Sequence, residues 1–442
     1  MTATAHADEP AQALAPLPQV FNGLALVAAK VVAMGLGFVF WVLAARLFSP
    51  GEVGLAAGVV SAMMLCSQLA LLGVGSAFIT HFPRLQRQPG ALLDTSLTFV
   101  AGLGVVWGAA FLLIAAAAFR QLDVVAADPL FALLFVTACV AGTLGILLDQ
   151  VATALRRGDQ ALTRNGACAL VSVALLALLA LAGAPHRAET IFMPWTLAGL
   201  AACVFGLAQL RRALPCYRPR AAADRRLIRQ LVGAGLPNHV LTLAERTPGL
   251  ILPVIVAELL SPDANATWYA AWMMAWVVYI VPIQVGMTIF AEVAHDPVSF
   301  RRAVRHGVLC SLAVGLCGAL VLGGAAPFAL SILGSQYARD GVEPLRILLL
   351  GVLPLTFVQA YFSSCRARRE LGEAIVTGWL NAVGSVAVAA VAGVTHGLVG
   401  MAIGWVAVQY VTGLWSLWRL SIVSLTPSPE AALASPATSV AP

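Results

Sequence analysis

Apolar residues run along this chain for 18–29 positions at a time without strand-like alternation, divided by short clusters of Arg, Asp, Pro and Gly. About 20 apolar residues cross a bilayer's hydrocarbon core, and barrel strands would be shorter and alternating. With no water in that core, only a helix satisfies the backbone of such a run. The punctuation predicts spans near 21–47, 53–79, 91–119, 130–155, 167–184 and 190–210. A second set follows near 231–257, 268–293, 307–325, 345–364, 375–394 and 397–418. The reading is an all-α polytopic membrane protein with about 12 transmembrane helices.

The polar remainder organises those spans. Residues 1–19 and 421–442 are Ala/Pro-rich or Pro/Ser/Ala-rich and read as disordered tails. The first has no basic n-region, so the first span is expected to direct insertion. Segment 211–229 (RRALPCYRPRAAADRRLIR) is the longest connection and divides a lobe at 20–210 from one at 230–420. The two halves also resemble each other. Ala45-Arg-Leu-Phe-Ser-Pro-Gly matches Ala257-Glu-Leu-Leu-Ser-Pro-Asp at an offset of 212, which also carries Phe78 onto Phe290. Such repeats relate the halves of many transporters, with the substrate site between them.

Composition narrows the chemistry. Sixty per cent of the 442 residues are hydrophobic and 10% charged, too few polar groups to cover a soluble surface. The net charge is +6, but the basic residues are dispersed between spans, which excludes a nucleic-acid patch. Nineteen arginines fall on the face shared by the termini and five on the other, placing both termini in the cytoplasm. The basic linker also suits contact with anionic membrane lipids. Neither the cysteines nor the histidines have metal spacing, and no P-loop surrounds the single lysine, so no metal, cofactor or ATP hydrolysis is expected. Connections of about 8–20 residues leave no room for an extramembrane catalytic domain, so the chain is read as no enzyme. The sequon at Asn265 is discounted.

The run ARLFSPGEVG, then LLGVGSAFITHFPR, resembles the start of bacterial polysaccharide repeat-unit flippases, and ILGSQYARDGVEPLRIL is similar to that family's Gly–x–x–Tyr element. The resemblance covers most of residues 20–420. It implies the multidrug/oligosaccharidyl-lipid/polysaccharide exporter fold, two six-helix lobes in a V around a central cavity. It also implies movement of an undecaprenyl-pyrophosphate-linked oligosaccharide across the bacterial cytoplasmic membrane, with a polysaccharide polymerase and glycosyltransferases as pathway partners. The alternative on the same fold is a multidrug antiporter. Those exporters typically carry an acid in the first helix, where this chain has Lys30.

Ionisable groups inside a span cost about 2.5–3.5 kcal/mol at mid-bilayer on insertion scales and normally face a cavity or a partner. Lys30 in span 1 and Arg246 in span 7 are therefore candidate cations for a pyrophosphate, Arg offering a bidentate fork and Lys a point charge. An ion pair of Arg246 with another helix is the structural alternative. Glu245 is a candidate counter-ion or proton carrier. Pro248 and Pro253, with Pro237 nearer the start, predict a kinked or broken span 7 and serve as hinge candidates. Trp268, Trp272 and Trp276 form a helical stripe continued by Gln284. Trp268 and Tyr269 read as interfacial belt. For Trp276 both packing and stacking on a sugar ring fit, and Gln284 is the matching hydrogen-bond candidate.

Overall fold

The computed structural model describes residues 19–81, 89–214, 217–295 and 300–423, all helix or connection, with no strand among them. The helices are α1 (Gln19–Leu47), α2 (Pro50–Ala70), α3 (Val74–His81), α4 (Pro89–Ala118), α5 (Val124–Ala127), α6 (Pro129–Ala154) and α7 (Gly158–Leu181). They continue as α8 (Ala188–Ala213), α9 (Arg225–Leu259), α10 (Pro262–His295), α11 (Phe300–Ser331), α12 (Ser335–Leu349), α13 (Val352–Arg368) and α14 (Leu371–Val423). Among the described residues nine helices are long and apolar enough to cross a membrane, and α12–α13, bent by 45°, makes a tenth. Helix α1 and the second arm of α14, which folds back at His396–Gly397, complete the two six-helix lobes. The tails at 1–18 and 424–442 lie outside the described residues, as does the loop carrying Arg84 and Arg87.

Local chemistry sets the helix starts. Ser49 precedes Pro50 and accepts from the Glu52 amide, and Ser261 precedes Pro262 and accepts from Ala264. These two caps occupy equivalent positions in the repeat. A side-chain acceptor at the cap and proline in the first turn satisfy groups that a helix start leaves open. Asp128 and Asp224 do the same for α6 and α9, each accepting two amides.

The breaks fall elsewhere than the prolines suggested. Helix α9 runs unbroken through Pro237, Pro248 and Pro253, because proline removes one hydrogen bond while its neighbours hold the turn. Span 2 breaks at Leu72 and Gly73, whose φ values are +42° and +80°. A Cβ at Gly73 would collide with the backbone of Gly235 in α9, so glycine is required twice over. Span 10 begins about ten residues earlier than expected, because the Gly334–Tyr337 element is already helical in α12.

The packing defines a V. One core cluster runs through both lobes, joining Phe40, Trp41, Val60 and Phe135 to Trp268, Trp272, Tyr279 and Trp405. Toward the face where α1 begins and α14 ends, called here the basic face, this core divides. Val74, Phe78, Leu92 and Leu147 form one cluster, and Leu241, Ile289, Tyr361 and Phe362 another. Trp268, fully buried, and Tyr269, tilted 4.8 Å from Trp41, sit in this inter-lobe core and not in an interfacial belt. Asn265 is buried there too, donating to the Gly54 carbonyl at 2.6 Å, out of reach of any modification. A Cβ at Gly54 would collide with the Pro262 carbonyl, which is how closely α2 and α10 cross.

The segment between the lobes is tied down. Asp94 on α4 accepts from the Tyr217 hydroxyl at 2.7 Å and the Arg220 amide at 3.0 Å. Thr98 and Thr95 accept from the amides of Ala222 and Asp224. Burial and the Asp94 carboxylate hold the Tyr217 phenol above its ordinary range, so it remains a donor at physiological pH.

Candidate functional site

Where the core divides, the lobes enclose a cavity of about 1010 Å³. Most of its wall is C-terminal lobe: α9, α10, α13 and both arms of α14. The N-terminal lobe contributes Ala33 and Met34 of α1, Ser76 of α3 and Asn165 of α7. Arg366, Arg369 and Leu371 line it toward the basic face.

Helix α9 supplies the charged centre. At 1.5 Å per residue, Arg246 lies about 20 Å below the far end of α9, near the middle of a bilayer core. Its side chain is exposed to the cavity and makes no hydrogen bond or ion pair with a described residue. Glu245, one residue earlier, points about 100° away and is ion-paired with Arg366 of α13. Arg366 also donates from Nε to Asn238 Oδ1 at 3.1 Å. One guanidinium is thus neutralised and oriented while the other presents its donors to the cavity. A fork of this kind binds phosphate or carboxylate bidentately, and a low-dielectric wall strengthens the attraction.

The deeper wall is aromatic. Tyr279 stacks on Trp405 at 5.6 Å, and Trp272 meets Trp405 edge-on at 5.0 Å. The Tyr279 hydroxyl donates to the Leu348 carbonyl beside the α12–α13 bend. Trp276 is half-buried and lines the cavity without a ring partner among the described residues. An amide ladder joins the arms of α14: Thr412 donates to Asn381 at 2.9 Å, and Gln409 donates to Ser385 at 2.9 Å. Asn381 and Gln409 both reach the cavity wall.

The cavity brings together Glu245, Arg246, Pro248, Trp276 and Gln284 from the sequence candidates. Pro253 is buried in α9 away from it. Lys30 falls in α1 one turn before Ala33, but its side chain lies outside the described residues. Sequence reasoning missed Arg366, which it counted among topology charges, and Tyr279 and Trp405. A signal existed for Arg366: it lies two residues inside the end of α13, facing a helix that carries an otherwise uncompensated glutamate.

Three comparisons place this geometry. The fold matches an inward-facing multidrug resistance MATE family transporter of the MOP superfamily with a TM-score of 0.64 at 14% identity, over 91% of this chain and 99% of that one. It matches the lipid II flippase MurJ in its inward closed conformation with a TM-score of 0.72 at 11% identity, over 91% of this chain and 88% of that one. Comparison with curated proteins returns no match. The family described as polysaccharide biosynthesis protein matches residues 20–290, more than half of the chain. A polytopic two-lobe protein with the MOP fold, the chain belongs to the polysaccharide biosynthesis protein family.

Proposed function

We propose that this protein moves an undecaprenyl-pyrophosphate-linked oligosaccharide from the cytoplasmic to the outer leaflet of the bacterial cytoplasmic membrane, by alternating access of its two lobes. The observation that carries the reading is Arg246: a guanidinium at mid-membrane, open to the cavity and free of any described ion-pair partner. A charge held there is costly unless an anion completes it. The diphosphate supplies that anion, and the half-buried Trp276 with the Gln284 side chain, which bonds no described residue, suits the attached sugars. The family supports a polysaccharide pathway, and the arginine bias supports cytoplasmic termini. Glycosyltransferases and a polymerase then act before and after it, and the chain performs no covalent step itself.

The test is leaflet-resolved quantitation of the lipid-linked intermediate in strains expressing each variant at matched membrane levels. Arg246→Ala is expected to accumulate intermediate in the cytoplasmic leaflet, and Arg246→Lys to rescue in part, lacking the fork. Export of cationic drugs that improves on losing Arg246, with normal lipid translocation, would favour the antiporter instead.

A further inference from the structure

At the far face of the molecule, opposite the basic face, the lobes are joined at two edges by charged contacts that the repeat relates to each other. At one edge Arg46, in the last turn of α1, reaches across to the other lobe. Its Nε donates to the Ile332 carbonyl at 2.8 Å and its Nη2 to the Ser331 carbonyl at 2.9 Å, where α11 ends. At the other edge Glu258, in the last turn of α9, reaches back. Its carboxylate accepts from the amides of Arg120 at 2.8 Å, Gln121 at 3.1 Å and Leu122 at 2.7 Å, just beyond α4. The offset of 212 that aligns the halves carries Arg46 onto Glu258 and Arg120 onto Ile332. The two residues are one position of the duplicated unit, with the charge inverted.

Inversion has a physical logic. A helix end leaves carbonyls open, and the turn before a short helix leaves amides open, so one edge needs a donor fork and the other an acceptor pair. Each charged group satisfies two or three backbone groups at once, and hydrogen bonds to charges are roughly twice as strong as neutral ones. Among the described residues no other side chain at this face links the lobes with such multiplicity; the buried Asn265–Gly54 contact between them is a single bond. We infer that Arg46 and Glu258 are gate residues of the transport cycle: a two-edged latch whose release exposes the cavity on the far face. The inference rests on the alternating-access half of the function proposed above and not on its lipid-linked substrate.

The experiment needs no substrate. Thr242, a cavity-lining residue, is changed to cysteine in a background with all eight native cysteines replaced. A membrane-impermeant thiol reagent is then applied to whole cells and to inside-out vesicles. The parent is expected to label from the basic face and only slowly from the far face. Arg46→Ala and Glu258→Ala should each raise far-face labelling about tenfold, a shift of about 1.4 kcal/mol in the open–closed equilibrium. The double variant should multiply the two factors. Arg46→Lys and Glu258→Gln, each keeping one bonding atom toward the backbone, should fall between. Arg346→Ala is the control, since Arg346 is exposed and bonds the Gly323 carbonyl within its own lobe. General loosening would raise labelling from both faces, whereas release of the latch raises it from the far face alone. Parent-level labelling in all the latch variants, or an equal rise in the Arg346 control, would overturn the inference. Altered labelling combined with normal lipid translocation by Arg246→Ala would leave the latch standing and remove only the substrate.

Discussion

The two lobes place equivalent backbone around the cavity and give it opposite chemistry. Ala33 and Met34, which line the cavity from α1, are the repeat counterparts of Glu245 and Arg246 in α9. Val60, Met64 and Ser67 of α2 stand where α10 carries Trp272, Trp276 and Tyr279. Each lobe also has a carboxylate–arginine–asparagine cluster. In the N-terminal lobe Arg164, nearly inaccessible, pairs with Asp149, and Asn165 donates to the same carboxylate at 3.0 Å. That cluster joins α6 to α7 within the lobe. In the C-terminal lobe Glu245, Arg366 and Asn238 join α9 to α13 along the cavity itself. The two copies of the unit thus line the cavity differently: one gives it Ala33, Met34, Ser76 and Asn165, and the other its charged and aromatic groups.

The comparison breaks most visibly at Arg246. Its change to alanine is expected to slow translocation about 100-fold, the loss of roughly 3 kcal/mol from charged hydrogen bonds. Met34→Ala, at the equivalent position, should change the rate by less than about twofold, because it removes only apolar contact. Equal losses, read by the leaflet assay, would erase the asymmetry. Next in size is Asp149→Ala, which leaves Arg164 buried without its partner. Breaking a buried pair costs about 3–5 kcal/mol, and since the Asp149 side chain is 40% accessible a loss of about 2 kcal/mol is expected. It should appear as a lowered thermal midpoint in detergent. Glu245→Gln should lower that midpoint less than Asp149→Ala and alter transport, because the isosteric amide keeps an acceptor oxygen toward Arg366. A melting loss as large as that of Asp149→Ala would make both clusters structural.

Smaller effects sharpen the picture. Trp276→Ala should weaken apparent substrate affinity about fivefold, or roughly 1 kcal/mol, with little change in maximal rate. A lowered maximal rate at unchanged affinity would assign Trp276 to packing. Tyr217→Phe removes one bond from the connecting segment and should raise proteolytic nicking within 214–224 a few-fold, leaving transport intact.

The crossings were legible because a bilayer permits few alternatives: each apolar run had to become a helix, and the linker marked the division. The duplication was legible too, and the matched motif already contained Arg46 and Glu258 side by side in register. Their role was not, since both bond to backbone that only the folded chain brings near. Arg366 was hidden for the same reason, its partner lying 121 positions away. The break in span 2 was not legible, because it rests on positive φ at Leu72–Gly73 and not on proline, while the prolines of α9 lie within one continuous helix. Trp268 looked interfacial by its place in the run, but the packing of α10 against α2 buries it.

Both edges of the far-face closure end on main chain. Arg46 grips two carbonyls and Glu258 three amides, and no side chain of the receiving loops takes part. The exposed side chains of Arg120 and Gln121 are therefore free to change while the closure persists, whereas Leu122 is held by its place in the core. Proline at 120, 121 or 122 is excluded, because it deletes an amide that Glu258 binds. The side chains at that exposed edge are thereby uncoupled from the backbone contact that closes it.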